Sequence, residues 1–204
     1  MIVAGAGGHA LELLDILISQ GKTENLVFFD EVNLVSMFRD QFHVIHTEGE
    51  VKRHFESDPQ FFLGIGNPSL RNSFYKRFTG LGGNLTAVKG YGIAMSNFSQ
   101  GYEGADIFNL CFIGANTQIG TGTLINTGAQ IHHEVQIGQF SEINPGAVLL
   151  GKVVVGDFCS IGANATILPK VRIGNNVIVG AGSVVTKDVP GGVTVIGVPA
   201  RIVD

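Results

Sequence analysis

The chain has little cysteine, little excess charge and no long hydrophobic run, and each shortage excludes a class of protein. Its 204 residues include two cysteines and carry a formal net charge of −4. The slight excess of acidic residues argues against nucleic acid as the main partner. No apolar run approaches the roughly 18 residues of a membrane span, and Met1 leads into an apolar strand rather than a signal peptide. We therefore expect a soluble, cytoplasmic protein.

The two cysteines, Cys111 and Cys159, belong to a repeat that dominates the second half of the chain. From Ile107 to Val185, every sixth residue is Ile, Leu or Val. A small or β-branched residue follows four positions after each aliphatic residue, and both cysteines occupy this phase. Glycine or asparagine often comes directly after the aliphatic residue, as at Gly114. The aliphatic positions are Ile107, Ile113, Ile119, Ile125, Ile131, Ile137, Ile143, Leu149, Val155, Ile161, Ile167, Ile173, Val179 and Val185.

A period of six residues is neither the helical period nor the alternation of a simple strand. It predicts a parallel β-helix, in which three hexapeptides form a coil of about 18 residues. The aliphatic side chains should point inward and stack in ladders along the axis, with the small residues near the corners. Glycine and asparagine should let the backbone turn at the corners. Because Cys111 and Cys159 are eight hexapeptides apart, they should lie on different faces, buried and without a disulfide.

Ahead of the repeat, strands alternate with helices, which predicts a small parallel α/β domain over residues 1–85. Its predicted strands are 2–4, 26–29 and 61–65, and its predicted helices are 11–18 and 69–78. Residues 86–106 should form an irregular connection or first coil. The β-helix should occupy residues 107–188, followed by a C-terminal cap or tail at 189–204.

The turn between the first strand and the first helix, Gly5–Ala10, is rich in glycine. Exposed N–H groups at the start of a helix favour a phosphate, and Asp30 follows at about the distance expected in a dinucleotide fingerprint. A region of about 85 residues is too short for two mononucleotide-binding halves, so a nucleotide sugar is favoured over NAD. The remaining alternative is a turn that is glycine-rich only because it is tight.

The exceptional hexapeptide begins at Ile131, where His132, His133 and Glu134 replace small or turn-forming residues. Histidine accepts protons at neutral pH, and a nearby carboxylate can orient the ring. His133 and Glu134 are the candidate general base and its partner, whereas His132 should be solvated or play a supporting role. Two solvated surface histidines are the alternative. A zinc site needs at least three ligands, and the repeat supplies only this histidine pair, so we expect no catalytic metal.

The combined motifs resemble the sugar acyltransferases of the sialic-acid O-acetyltransferase family, which includes N-acetyltransferases acting on nucleotide-linked 4-amino sugars. The matching segments span nearly the whole chain and are Gly5–His9, Phe29–Glu31, Gly64–Asn67 with Arg71, Ile125–Thr127, His133–Glu134 and Gly197–Arg201. The resemblance implies an α/β Rossmann-like N-terminal domain followed by a left-handed parallel β-helix. The handedness rests on the resemblance alone, since left-handed crossovers are otherwise rare. It also implies acetyl-CoA as donor and a homotrimer with active sites between subunits.

The resemblance further assigns roles to single residues. His133 would be the catalytic base with Glu134 as partner, and the backbone N–H of Gly151 would face the thioester carbonyl. The implied substrate-binding residues are Gly7, Gly8, His9, Asp30, Gly66, Asn67 and Asn126. The implied cofactor-binding residues are Gly151, Ala163, Ala181 and Arg201. One departure concerns Glu142, which stands where family members carry a histidine, so the identity of the acceptor sugar stays open.

These observations predict an acetyl-CoA-dependent acetyltransferase that modifies a nucleotide-linked amino sugar, as in N-acetylation of a 4-amino-4,6-dideoxy sugar for surface glycans. His133 would remove a proton from the acceptor while it attacks the thioester, and a backbone N–H would stabilise the oxyanion. The first alternative is an O-acetyltransferase of sialic acid or another surface sugar. The second is a non-catalytic protein that only binds a nucleotide sugar.

Overall fold

The chain forms two compact units, and a computed structural model describes residues 1–99, 102 and 104–203. Glu103 of the predicted connection and Asp204 of the predicted cap lie outside the described residues. Unit 1 consists of Met1–Gly66 and Leu70–Val88, and unit 2 consists of Asn67–Ser69 and Lys89–Asp204.

The N-terminal region is a six-stranded sheet with three helices. Its elements are β1 (Ile2–Ala4), α1 (Gly8–Ser19), β2 (Val27–Phe29), β3 (Met37–Phe38), β4 (Phe42–Ile45), α2 (Glu48–Phe55), β5 (Gln60–Leu63), α3 (Pro68–Gly80) and β6 (Asn84–Leu85). The strand order is β3-β4-β2-β1-β5-β6. All pairs are parallel except the β3–β4 hairpin.

The five elements predicted in this region are confirmed, with ends that differ by up to three residues. The hairpin β3–β4 and the helix α2 were not predicted. The helix does have a local start signal, because Thr47 and Glu50 form a capping box. In the hairpin, two-residue β3 is too short for its alternation to stand out.

Aromatic side chains hold α3 in unit 1. The Phe78 ring, at the end of α3, is fully buried and meets the rings of Phe29, Phe55 and Phe61 edge-on at 5.4, 5.8 and 5.4 Å between centroids. Such pairs contribute roughly 0.5–1.5 kcal/mol each beyond area burial. They fix the end of α3 to β2, α2 and β5.

The sheet has a topological switch point at β1, which lies between β2 and β5. In open α/β sheets, ligands bind outside the carboxyl ends of the strands at such a point. The segments that follow β1 and β5 here contain Gly5–Gly8 and Gly64–Gly66. The candidate nucleotide-binding turn therefore occupies the position that this topology favours.

Unit 2 is built from very short strands. These are β7 (Ala94–Met95), β8 (Asp106–Ile107), β9 (Phe112–Ile113), β10 (Gln118–Ile119), β11 (Leu124–Ile125), β12 (Gln130–Ile131), β13 (Gln136–Ile137), β14 (Glu142–Ile143), β15 (Val148–Leu149), β16 (Val154–Val155), β17 (Ser160–Ile161), β18 (Thr166–Ile167), β19 (Arg172–Ile173), β20 (Ile178–Val179), β21 (Val184–Val185), β22 (Thr194–Gly197) and β23 (Ala200–Val203). The last two form an antiparallel hairpin that caps the unit.

These strands form the three faces of a left-handed parallel β-helix, which confirms the predicted fold class. Face 1 contains β8, β11, β14, β17, β20, β22 and β23; face 2 contains β7, β9, β12, β15, β18 and β21; face 3 contains β10, β13, β16 and β19. Ile125 pairs with both Ile107 and Ile143, so each coil advances by 18 residues (143 − 125). We name the corners by the faces they join, as corner 1–2, corner 2–3 and corner 3–1.

The interior of the β-helix confirms the predicted ladders. All fourteen aliphatic residues of the repeat belong to one buried core. Cys111 and Cys159 are buried and free, and they lie next to β9 on face 2 and β17 on face 1, respectively. Burial raises the pKa of Cys111 to about 11. The thiol is therefore protonated at neutral pH, as suits a small apolar core residue.

The predicted role of the glycines in turning the corners is wrong for Gly114 and its equivalents. The left-handed residues come two positions later, at Leu110, Asn116, Gly122, Gly128, Glu134, Phe140, Gly146, Lys152, Phe158, Asn164, Lys170, Asn176 and Gly182. Gly114 is instead required by close stacking, because a Cβ there would lie 2.7 Å from the backbone of His132 and His133 in the next coil. Glutamate, lysine and phenylalanine therefore occupy backbone positions that favour glycine.

No helix in the described part of the chain is long and apolar enough to span a membrane.

Candidate active site

The candidate catalytic pair lies at corner 2–3, where the chain passes from β12 to β13. Glu134 has a left-handed backbone with φ of 59°, which breaks the alternation that would send adjacent side chains to opposite sides. As a result, His133 Nδ1 lies 3.0 Å from Glu134 Oε2. The His133 side chain is 61% exposed, so the ring is accessible for chemistry.

The carboxylate of Glu134 determines the roles of the two His133 nitrogens. The hydrogen bond from His133 lowers the pKa of Glu134, and the positive charge of Lys152 lowers it further. An ionised carboxylate only accepts hydrogen bonds, so Nδ1 must be the donor in this pair. In the neutral ring Nε2 is then the basic nitrogen, as a general base requires.

Gly151 lies against this basic nitrogen, in the coil that follows. A Cβ at position 151 would overlap Nε2 and Cε1 of His133. The ring thus takes the space that a side chain would fill. The structure brings together three of the predicted site residues, His133, Glu134 and Gly151, within one corner.

His132 does not join this pair. Its ring is partly buried and lies 5.4 Å, centroid to centroid, from the ring of Phe112 in the preceding coil. Of the two predicted alternatives for His132, a solvated ring or a supporting role, the packing against Phe112 favours the second, which stays a prediction.

The remaining predicted residues of unit 2 lie elsewhere on the β-helix. Asn126, Ala163 and Ala181 follow strands of face 1 and lie at corner 1–2. Asn126 is buried, and its carbonyl oxygen is 3.1 Å from the Cys111 thiol. Arg201 is exposed on β23 of face 1. One chain therefore does not place these four residues at the corner of His133.

The glycine-rich turn of unit 1 is open at the start of α1. Gly7 is the N-cap residue, and in the described chain no side chain caps this end. Gly7 and Gly8 are exposed, and a Cβ at either would meet no described atom within 4 Å. The first turn of α1 is thus accessible to an anionic ligand such as phosphate.

His9 lies in the first turn of α1, close enough to Arg71 to feel its charge. Arg71 is completely buried and donates hydrogen bonds to the carbonyl oxygens of Leu63 (3.0 Å) and Ile65 (2.8 Å) at the end of β5. Burial, together with the charge of Arg71, lowers the pKa of His9 to about 4. His9 is therefore neutral at physiological pH and would meet a ligand as a polar group rather than as a cation.

Asp30 follows β2, and its carboxylate organises the next loop. It accepts hydrogen bonds from the backbone N–H groups of Val32 (2.8 Å) and Asn33 (3.1 Å) and from the Asn33 amide (3.0 Å). Burial alone would raise the pKa of Asp30, but these hydrogen bonds lower it below its usual value. Gly66 ends the first segment of unit 1, whereas Asn67 belongs to unit 2.

Two polar residues near these sites were not assigned a role from the sequence. Arg71 was noted only as part of a motif, although its burial supports the turn after β5. Lys152 comes 18 residues after Glu134 (152 − 134), which is one complete coil, and so lies at the same corner. The repeat period would have identified it.

Among the described residues, no group of three or more His, Cys, Asp or Glu side chains could hold a metal ion.

Comparison with known proteins now identifies the family. Residues 1–78 match the PglD N-terminal domain, and residues 152–187 match the bacterial transferase hexapeptide (six repeats). The structure of PerB from Caulobacter crescentus, in complex with CoA and GDP-perosamine, is 30% identical over 100% of this chain and 96% of that one, with a TM-score of 0.89. The chain belongs to the sugar acyltransferase family.

Other solved structures extend this likeness. The acetyltransferase domain of PglB from Neisseria gonorrhoeae is 27% identical to this sugar acyltransferase, with a TM-score of 0.87. The match covers 99% of this chain and 98% of that one. The same domain in complex with acetyl coenzyme A matches at 26% identity, with the same coverage and TM-score. No significant match was found among curated protein sequences. The predicted family and enzyme class are thus confirmed.

Proposed function

We propose that this sugar acyltransferase transfers the acetyl group of acetyl-CoA to the amino group of a nucleotide-linked 4-amino-4,6-dideoxy sugar. The observation that carries the proposal is the corner where Glu134 fixes Nδ1 of His133 and leaves Nε2 basic beside Gly151. It is supported by full-length similarity to a protein that binds CoA and GDP-perosamine.

In the proposed reaction, the neutral sugar amine attacks the thioester carbonyl while His133 Nε2 accepts its proton. The backbone N–H of Gly151 donates to the developing oxyanion. The C–S bond then breaks, and the imidazolium returns the proton to the leaving sulfur. Glu134 stabilises the imidazolium while it exists. Holding both substrates in one groove supplies the proximity that makes a covalent enzyme intermediate unnecessary.

The nucleotide sugar would be bound mainly through unit 1. Gly7 and Gly8 would hold its phosphates at the open start of α1. Neutral His9 would exchange hydrogen bonds with the ligand, and Asp30 and Gly66 would border it at the ends of β2 and β5. Asn67 and Asn126, both in unit 2, would contact the acceptor sugar.

Acetyl-CoA would use Gly151, Ala163, Ala181 and Arg201. Because Gly151 lies at corner 2–3, whereas Ala163 and Ala181 lie at corner 1–2 and Arg201 lies on face 1, we propose a closed homotrimer in which a neighbouring copy completes the groove. We also propose a cytoplasmic location, since acetyl-CoA and nucleotide sugars are supplied there.

The test is to incubate the protein with acetyl-CoA and a panel of UDP-, dTDP-, GDP- and CMP-linked sugars, and to measure CoA release and product mass. We expect release with a 4-amino sugar and a mass gain of one acetyl group on nitrogen. Activity only with hydroxyl acceptors would show an O-acetyltransferase. Absence of acetyl-CoA binding in a titration would show a non-catalytic binding protein.

A substitution at Asp30 tests whether the nucleotide sugar binds through unit 1. Asp30→Ala should raise the KM for the nucleotide sugar, because it frees the loop after β2. It should leave acetyl-CoA binding unchanged. Equal losses for both substrates would contradict the assignment of the nucleotide sugar to unit 1.

A further inference from the structure

Lys152 occupies corner 2–3 one coil after Glu134, in the same left-handed conformation with φ of 66°. Corner 1–2 has glycine or asparagine at the equivalent positions of its later coils, namely Gly128, Gly146, Asn164 and Gly182. Long side chains with φ above zero are uncommon and cost roughly 1–3 kcal/mol when the surroundings hold them there. Leu110, Phe140, Phe158 and Lys170 share this conformation, so the contacts of Lys152 and not its backbone distinguish it.

Lys152 contacts both members of the candidate catalytic pair. Its backbone N–H donates to the carbonyl oxygen of His133 at 3.0 Å. Its ammonium nitrogen Nζ lies 3.5 Å from Oε1 of Glu134, while Oε2 of the same carboxylate faces His133 Nδ1 at 3.0 Å. The carboxylate is thus held between a lysine on one oxygen and the imidazole on the other.

We propose that Lys152 is a positioning residue of this acetyltransferase, which holds Glu134 in the rotamer that orients His133. The inference rests on the proposed function, in which His133 is the base. Lys152 itself touches no reacting atom in this arrangement.

The ammonium group of Lys152 keeps the Glu134 carboxylate beside His133. Without it, the Glu134 side chain, which is 44% exposed, is free to turn towards solvent. His133 then loses the partner that fixes its Nδ1.

The experiment measures kcat and KM for Lys152→Met at a temperature where thermal melting shows the variant to be folded. Exposed ion pairs are weak, so kcat should fall by about two- to fivefold. The KM for acetyl-CoA should stay within about twofold, because only the transition state needs the aligned base. A lysine that acts only on folding would leave the kcat of the folded protein unchanged.

Lys170 provides a matched control, because it is exposed at the same corner with φ of 67°. Lys170→Met should leave kcat unchanged. Lys152→Arg should restore kcat, since it keeps a cation within reach of Glu134. If Lys152→Met fails to fold, Lys152→Gly takes its place, because glycine suits the left-handed backbone.

The outcomes separate this inference from the proposed function. If the wild type is active, His133→Ala is inactive and Lys152→Met matches the wild type in kcat, Lys152 has no positioning role and the proposed function stands. Equal effects of Lys152→Met and Lys170→Met would also overturn the inference, as they would indicate a general charge effect. If the wild type is inactive or His133→Ala retains activity, both proposals fail.

Discussion

At the level of single residues, His133, Glu134 and His132 differ in their contacts, so their substitutions should differ in effect. His133→Ala should lower kcat by roughly 10²–10⁴, the range for loss of a positioned general base. Glu134→Ala should lower kcat less, because an unoriented imidazole still accepts protons. His132→Ala should cost least, since its ring packs on Phe112. Steady-state kinetics with saturating substrates measures the order, and an inactive His132→Ala beside an active His133→Ala would contradict it.

Gly151 gives a second prediction at this scale, because the His133 ring occupies the space beside its Cα. Gly151→Ala should displace the ring and lower kcat by at least tenfold, the scale of a misplaced catalytic group. The fold should tolerate the change, since the exposed His133 side chain can move aside. Thermal melting and kinetics together test this.

Gly120→Ala is the matched control for Gly151→Ala. A Cβ at position 120 would lie 2.6 Å from the backbone nitrogen of Gln139, and backbone cannot move aside. That variant should lose roughly 1–3 kcal/mol of stability. If Gly151→Ala instead melts like Gly120→Ala, the space beside Gly151 is structural and not reserved for the base.

His9 predicts a dependence of stability on pH. Its pKa is about 4 in the folded chain against an ordinary value of 6.5, so between these values the unfolded state binds more protons. The free energy of unfolding should therefore fall as pH drops from 6.5 to 4, by up to about 3 kcal/mol from this group. Urea unfolding should show a shallower fall for His9→Gln than for the wild type.

The variant His43→Gln is the control for His9→Gln. His43 is exposed, so His43→Gln should keep the wild-type dependence on pH. If His9→Gln and His43→Gln behave alike, the imidazole of His9 is not buried in solution as the structure describes.

At the level of elements, α2 depends on the capping box that begins it. The Thr47 hydroxyl accepts from the backbone N–H of Glu50, and the Glu50 carboxylate accepts from the backbone N–H of Thr47 at 3.0 Å. Thr47→Ala should lower the free energy of unfolding by about 1 kcal/mol. Thr47→Ser should keep most of it. Denaturant unfolding distinguishes the two, and equal losses would mean that the hydroxyl is not the capping group.

The elements also show what the sequence could reveal. The six-residue period predicted the β-helix strands because each inward aliphatic residue faces the same core, whatever the rest of the hexapeptide contains. The period could not show which position takes the left-handed backbone, since Glu134, Lys152 and Phe158 occupy it as well as glycine. Short α2 and the β3–β4 hairpin have too few residues for a period, so only local capping could have marked α2.

The candidate site was predictable to the same extent. His133 stood out because an imidazole interrupts small and turn-forming residues at its position, whereas the position of Glu134 holds large side chains in other coils as well, such as Lys152 and Phe158. The contact of Gly151 with the His133 ring depends on stacking between coils, and the burial of Arg71 depends on the turn after β5. Neither follows from residue type, although the 18-residue coil would have aligned Lys152 with Glu134.

At the level of the whole molecule, the proposed acetyl-CoA groove predicts assembly, because its residue Gly151 lies apart from Ala163, Ala181 and Arg201 in one chain. Sedimentation velocity at micromolar concentration should show a trimer, because cyclic symmetry closes such contacts. Mixing an inactive His133→Ala protein with an inactive variant at Ala181 should restore some activity if each groove uses two chains. A stable, fully active monomer would contradict grooves between subunits.

The 18-residue coil also determines which insertions or deletions would keep later residues at their own corners. Inserting one complete coil after Val155 would keep every later residue at its own corner and move the terminal hairpin outward by a single layer. Inserting one hexapeptide would instead rotate everything beyond it by a third of a turn, so Ala163, Ala181 and Arg201 would move to other sides while His133 stayed in place. The fold can therefore lengthen or shorten by whole coils with every corner kept in register, whereas a change of any other length moves the proposed acetyl-CoA-binding residues to other sides relative to His133.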